Sequence, residues 1–313
     1  MKIVVVCGGF SSEREISLKS GKAVYEALSE FGYGDVHIFD MNKNNIAELP
    51  GTKADVVFLA LHGKGGEDGS IQGLLELAQI PYTGSGIAAS AVCMNKLLTK
   101  KLLVAADIQT AKYIELHKED WEAERCKVLN KIVDVLGGAV VVKAPSEGSS
   151  IGVVISNGKT DIAQAIDEVF QYDDVILIEE YLEGIELTVP VMGNRKNIKL
   201  LPIIEIATER KFYDYSAKYS DGGSKHIIPA NIDDEIRMQI EKISRDTYLG
   251  IGCAGIARID FIVSKRKGPM VIEVNTLPGM TKTSLVPDAA KAAGMTFPEL
   301  CSRLIMLALG KDE

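Results

Sequence analysis

Over roughly the first ninety residues, short apolar runs alternate with helical patterns, and this alternation restricts the fold more than any other feature of the chain. KIVVVC is a buried strand, followed by a glycine turn and a helix through SLKSGKAVYEALSEFG that stops near Gly32. DVHIFDM and ADVVFLALHG are further strands, followed by a helix around IQGLLELAQ and a short strand at IPYTG. Strands that alternate with helices imply a parallel, doubly wound α/β sheet whose ligands lie at the carboxyl ends of the strands. The loops at those ends are GGFSSERE and HGKGGEDG.

A helical pattern over 87–106 leads into a second unit. Its order is helix (119–136), strand AVVVKA, loop PSEGSS, strand IGVVIS, helix (160–171) and strand VILIEEYL. From about residue 185, ELTVPVMG and IKLLPIIEIA form a hairpin across the turn Asn194–Asn197. A polar segment without period, ERKFYDYSAKYSDGGSKH, precedes a helix (233–248), a second hairpin and C-terminal helices. The length of 313 residues suits two or three such units. A net charge of −8 argues against a non-specific nucleic-acid binder. No run of 18 apolar residues suggests a membrane span, and MKIVVVCGG is too short for a signal peptide. Most of the five cysteines lie in apolar runs without CxxC spacing, as buried free thiols in a reducing, cytoplasmic setting would.

RIDFIVSKRKGPMVIEVNTLPGM, residues 258–280, is the most informative stretch. If its strands turn about Arg266 and Lys267, Asp260 falls opposite Glu273 and Arg258 opposite Asn275. Those polar groups share one face, while Ile259, Phe261, Ile272 and Val274 point into a core. The wet side of an ordinary antiparallel hairpin gives the same alternation. Directly opposed carboxylates repel, however, so a positive group belongs between them. Two carboxylates and an amide suit a hard cation such as Mg²⁺, which commonly takes its remaining ligands from substrate phosphates.

A nucleotide would need a phosphate cradle, and neither GxxxxGK[ST] nor a GxGxxG after the first strand is present. KAPSEGSSIG (143–152) offers Lys143 as a point charge, with Gly148, Ser149, Ser150 and Gly152 supplying N–H groups and hydroxyls. Gly/Ser loops between strands are common, and it is the hairpin that gives this one weight. In VILIEEYLEGIEL, backbone groups around Glu180–Leu182 could pair with an adenine edge. Glu179 could accept from its amine and Glu186 from ribose hydroxyls; an exposed acidic edge is the alternative.

Together GGFSSEREISLKSG, LHGKGGEDGSIQG, MNKLLTK, VVKAPSEGSSIGV, FYDYSAKY, RIDF and IEVNTLPGMTKTSLVP resemble the ATP-grasp superfamily, and within it the D-alanine–D-alanine ligase family. The resemblance implies an ATP-grasp fold: a Rossmann-like domain (1–95), a central ATP-grasp subdomain (96–184) and a C-terminal subdomain (185–313). It implies phosphorylation of one D-alanine carboxylate by ATP and attack by the amine of a second D-alanine. Asp260, Glu273 and Asn275 match ligands of two Mg²⁺ or Mn²⁺ ions, and Lys96 and Lys143 match phosphate-binding lysines. Arg258 and the Gly279 N–H match the stabilisers of the tetrahedral intermediate. Glu13 matches the partner of the first D-alanine's ammonium, Ser284 and Leu285 the positions receiving the second carboxylate, and His62 a positioning residue. Ser149 and Tyr219 match links from the phosphate loop and the mobile lid to Glu13, and Lys218–Tyr219 is the pattern of dipeptide-forming members. A homodimer is implied as well.

There are departures: Asn95 stands where many members have aspartate, Ala144 where proline is frequent, and Lys282 where smaller residues or histidine are common. A ligase of the same superfamily with another second substrate is the alternative reading.

Overall fold

The computed structural model describes residues 1–146, 148, 151–207, 225–281 and 283–311. Ile3–Gly8 (β1), Val36–Met41 (β2) and Val56–Leu59 (β3) form a parallel sheet in the order β2-β1-β3. β1 is buried on both faces, so its residues sort by parity. Ile3, Val5 and Cys7 share a core with Val24 and Leu28 of Arg14–Phe31 (α1), whereas Val4 and Val6 pack with Ile71 and Leu75 of Ser70–Leu77 (α2). Gly21 lets α1 lie close to β1: a Cβ there would sit 2.4 Å from that of Cys7. The strand expected at IPYTG is reduced to one parallel bridge, Val57 to Tyr82. Pro81 has no N–H to give, and the chain turns away at Gly84 (φ 97°).

The helix expected over 87–106 is two helices, Ile87–Met94 (α3) and Lys96–Ala105 (α4). Asn95 between them is extended, and its side chain accepts from the Leu98 N–H, so it caps a new helix rather than continuing the old one.

Tyr113–His117 (β4), Ala139–Lys143 (β5), Val153–Asn157 (β6) and Val175–Glu180 (β7) form an antiparallel sheet, order β4-β7-β5-β6. It packs on Lys118–Leu136 (α5) and Lys159–Val169 (α6) around Trp121 and Ile166. β4 is an addition to the sequence reading; only Leu116 of this edge strand is buried, so its apolar signal is weak.

A third sheet comprises Gly184–Asn194 (β8), Asn197–Leu200 (β9), Ile204–Ala207 (β10), Lys225–Ile227 (β11), Gly255–Ser264 (β12) and Gly268–Asn275 (β13). The order is β11-β10-β8-β12-β13, with β9 pairing to β8. The hairpin at Asn194–Asn197 forms as expected, although IKLLPIIEIA is split into β9 and β10 around Pro202. Asp234–Ile251 (α7) covers one face through Ile240, Tyr248 and Ile251. The chain ends in Leu285–Ala292 (α8) and Phe297–Ala308 (α9). α9 returns to the first sheet, where Leu300, Cys301 and Leu304 complete the core around Ile3 and Val5.

The β12–β13 pairing keeps the expected register at Arg258–Asn275 and Asp260–Glu273, then shifts. Phe261 pairs with Val271, not Ile272, because β13 carries an extra residue in a β-bulge. Val271 therefore enters the core with Phe261 and Val274. Ile272, expected in that core, instead packs beside Ile262 against Ala111, Leu182 and Met270. Cys7, Cys93, Cys253 and Cys301 are buried free thiols, as expected for most of the five, and Cys126 is exposed. Among the described residues no helix is long and apolar enough to cross a membrane.

Candidate active site

Two adjoining cavities lie where the three sheets meet, and both are lined by Lys96 and Glu273. The inner one, about 100 Å³, is bordered by Glu13, His62, Arg258, Asn275, Gly279, Ser284 and Leu285. The outer one, about 220 Å³, is bordered by Lys143, Glu179, Glu180, Leu182, Glu186 and Asp260. Every described residue to which the family resemblance gives a role thus lines one cavity or the other, whereas Gly152, offered as a loop N–H donor, lines neither. Ser149, Ser150, Lys218, Tyr219 and Lys282 lie outside the described residues.

Lys96 and Glu273 owe their meeting to two local irregularities. The break at Asn95 sets Lys96 in the first turn of α4, and the bulge lies beside Glu273; the ammonium is 3.8 Å from the carboxylate. The opposed carboxylates of the hairpin have side-chain cations beside them. Arg258 forks onto Asp260, Nε to Oδ1 and Nη2 to Oδ2 at 2.8 Å each. Asn275 donates to Asp260 at 3.0 Å, and the Thr188 hydroxyl, from the paired position on β8, donates at 2.5 Å. Among the described residues no group of three or more His, Cys, Asp or Glu side chains could hold a metal ion, so the Asn275 carbonyl must complete any set with Asp260 and Glu273. That set consists only of oxygen donors on one sheet face, which fits a hard divalent cation.

At the floor of the outer cavity Glu179, 2% exposed, is ion-paired with both Lys143 and Lys100. Burial alone would raise the Glu179 pKa, but the two ammonium groups outweigh it and hold the carboxyl below its usual value. Burial pulls Lys100 below the usual lysine range, an effect that Glu179 partly offsets. Lys100 also donates to the Thr110 hydroxyl (2.7 Å) and the Ala111 carbonyl (3.2 Å), and Thr110 donates to the Val271 carbonyl on β13 (2.6 Å). Glu180 accepts from the Lys112 N–H (2.8 Å) and pairs with Lys267.

In the inner cavity, Glu13 precedes α1 at the carboxyl end of β1 and is buried. The neighbouring loop is close, since a Cβ on Gly148 would come 3.0 Å from the Glu13 carboxylate. His62 is held between the Ser20 hydroxyl (3.1 Å) and Glu67 (3.8 Å). Ser284 stands at the extended N-cap position of α8 without a side-chain capping bond; its hydroxyl accepts from the Thr281 N–H (3.0 Å), and a Cβ on Gly279 would lie 2.9 Å from it. The α8 N-terminus therefore faces the chamber with backbone N–H groups suited to an anion.

Sequence reasoning missed Thr188, Glu67 and Lys100. Thr188 is set by the β8–β12 register, and Glu67 shares a loop with His62. Only Lys100 left a sequence signal: it lies four residues after Lys96, on the same face of a helix.

The family model for the D-Ala–D-Ala ligase N-terminus matches residues 42–85 and that for its C-terminus matches residues 102–306. The chain is 48% identical over 313 residues to the D-alanine–D-alanine ligase of Carboxydothermus hydrogenoformans, covering 99% of this chain and 98% of that one. It is 48% identical to that of Moorella thermoacetica, with 99% of each chain covered. The crystal structure of the Bacillus anthracis D-alanine–D-alanine ligase complexed with ATP superposes with a TM-score of 0.83 at 36% identity, over 99% of this chain and 97% of that one. The architecture is the ATP-grasp fold, and the chain belongs to the D-alanine–D-alanine ligase family.

Proposed function

We infer that the protein uses ATP to join two D-alanine molecules into D-alanyl-D-alanine through an acyl phosphate, a step of peptidoglycan precursor synthesis. The observation that carries this reading is the meeting of the two cavities at Lys96 and Glu273. An amino-acid carboxylate in the inner chamber and a nucleotide's terminal phosphate in the outer one come together there.

ATP occupies the outer cavity, with the adenine edge against Glu179 and the backbone of Glu180–Leu182 and the ribose against Glu186. Lys96 and Lys143 bind its phosphates, and Ser149 and Ser150 belong to the loop that closes over them. The first D-alanine lies in the inner chamber, its ammonium against Glu13 and His62 positioning it. Its carboxylate oxygen attacks the terminal phosphorus and ADP leaves. The second D-alanine lays its carboxylate on Ser284 and Leu285 at the start of α8. Its free amine then attacks the acyl carbon, and phosphate departs and takes up the proton that the amine nitrogen loses. Arg258 and the Gly279 N–H stabilise the oxyanion of that tetrahedral intermediate. Lys218 and Tyr219 belong to a lid that keeps water from the acyl phosphate, and a neutral tyrosine hydroxyl there suits an incoming amine.

Asp260, Glu273 and Asn275 are the residues that would hold Mg²⁺ or Mn²⁺, as two ions. When bound, such ions neutralise charge on the transferring phosphoryl group. The domains divide at 95/96 and 184/185, and the protein acts as a cytoplasmic homodimer.

The test is a product assay with D-alanine, ATP and Mg²⁺. D-alanyl-D-alanine and ADP are expected in equal amounts, with phosphate. ADP release that needs D-serine or D-lactate as the second partner, and not D-alanine, would overturn the substrate assignment.

A further inference from the structure

Two buried lysines share a single buried carboxylate beneath the nucleotide cavity. Lys100 is 1% exposed, Glu179 2% and Lys143 9%, and both ammonium groups pair with Glu179. The group therefore carries one surplus positive charge in a setting where water screens little. Lys143 borders the cavity, whereas Lys100, buried behind Glu179, does not. Its remaining bonds, to Thr110 and the Ala111 carbonyl, fix its ammonium behind Glu179.

We propose that Lys100 is a positioning residue for nucleotide binding: by taking up the charge of Glu179, it leaves that of Lys143 available to the phosphates. The inference rests on the reading of Lys143 as a phosphate contact. Without Lys100, Glu179 and Lys143 form a closed, neutral pair. The carboxylate then competes with the nucleotide for the same ammonium and repels its phosphates. With Lys100 in place, Glu179 is balanced from behind and Lys143 can turn to the cavity without leaving a buried, unpaired carboxylate. The Thr110 hydroxyl, bonded to the Val271 carbonyl, ties this group to the strand that carries Glu273. Lys96 and Lys100, four apart on α4, thus serve the two walls of the cleft from one helix face.

The charge count gives the test, because it distinguishes this role from a merely structural ion pair. Lys100→Met removes the surplus charge, and the double variant Lys100→Met/Glu179→Gln restores it while keeping an acceptor oxygen at position 179. Steady-state kinetics and ADP binding in Mg²⁺ are measured for both, for Glu179→Gln, which reports any cost at the adenine contact itself, and for Lys143→Met. Lys100→Met is expected to raise the KM for ATP about tenfold or more, as loss of a charge-assisted contact does, with little change in the KM for D-alanine. In the Glu179→Gln background, by contrast, adding Lys100→Met should change ADP binding little, because no buried carboxylate is left there to balance. A double variant that binds ADP about tenfold more weakly than Glu179→Gln alone, or a Lys100→Met enzyme whose only defect is a lower Tm, would overturn the proposal. If Lys143→Met leaves the KM for ATP unchanged, the phosphate contact itself is wrong and the inference falls with it. Should Lys100→Met alone not fold, the double variant still decides. The buried pair is gone there, and ADP binding close to that of Glu179→Gln alone is the expected result.

Discussion

Glu273 stands at the one place where both chambers are within reach of the same side chain, with Lys96 3.8 Å away. Glu273→Gln keeps the shape of that corner and removes its charge. Turnover should fall about 100-fold or more, the scale for losing one group that stabilises charge in a transition state. ADP release in single-turnover mixing would check this, and rates near those of the unaltered enzyme would contradict the role. The grouping of Arg258, Asp260, Glu273 and Asn275 was legible in the sequence because strand side chains alternate with a period of two. Thr188 and Lys100, which secure neighbouring carboxylates, were less so, since their partners lie 72 and 79 positions away.

At the level of elements, the loop HGKGGEDG shows how one side chain fixes several others. Asp68 accepts from the Gly65 N–H (2.7 Å) and the Ser70 N–H (3.0 Å), shaping the turn that carries His62 and Glu67. Burial would raise the Asp68 pKa, but these bonds prevail and lower it. A carboxyl with a lower pKa folded than unfolded stabilises above its unfolded value, and that contribution is lost as pH falls through the folded one. Asp68→Asn should therefore cost about 1 kcal/mol near neutral pH and converge with the unaltered protein in acid, once the pH has fallen below the usual aspartate range. Thermal melts across pH would reveal it; a constant offset at every pH would refute it. The limits of sequence reading also show at this scale. A β-bulge adds one residue without changing composition, so Ile272 and Val271 exchange faces in a hairpin whose register was placed correctly only at its open end. The break at Asn95 is similar: an asparagine inside an apolar helical pattern can lie on a polar face or cap a new helix, and only geometry decides.

On the scale of the molecule, the strand and helix order was legible, but the partners of each helix were not. An amphipathic stripe says that a face is covered without saying by what. The covering of α1 by α9 is the clearest case, because Leu304 sits in the same core as Val5 and Leu28. Leu304→Ala should destabilise by about 2–5 kcal/mol, as large-to-small core changes do. Hydrogen exchange should quicken along β1, some 300 positions away in the sequence. Loosening confined to the last helix would argue against a shared core.

That packing bears on how the protein is made. The first sheet to leave the ribosome keeps the apolar side of α1 uncovered until the last helix has been synthesised and has swung back across it. Folding of the amino-terminal segment is thus tied to the synthesis of residues 297–308, and a chain released before them would display a ready surface for chaperones.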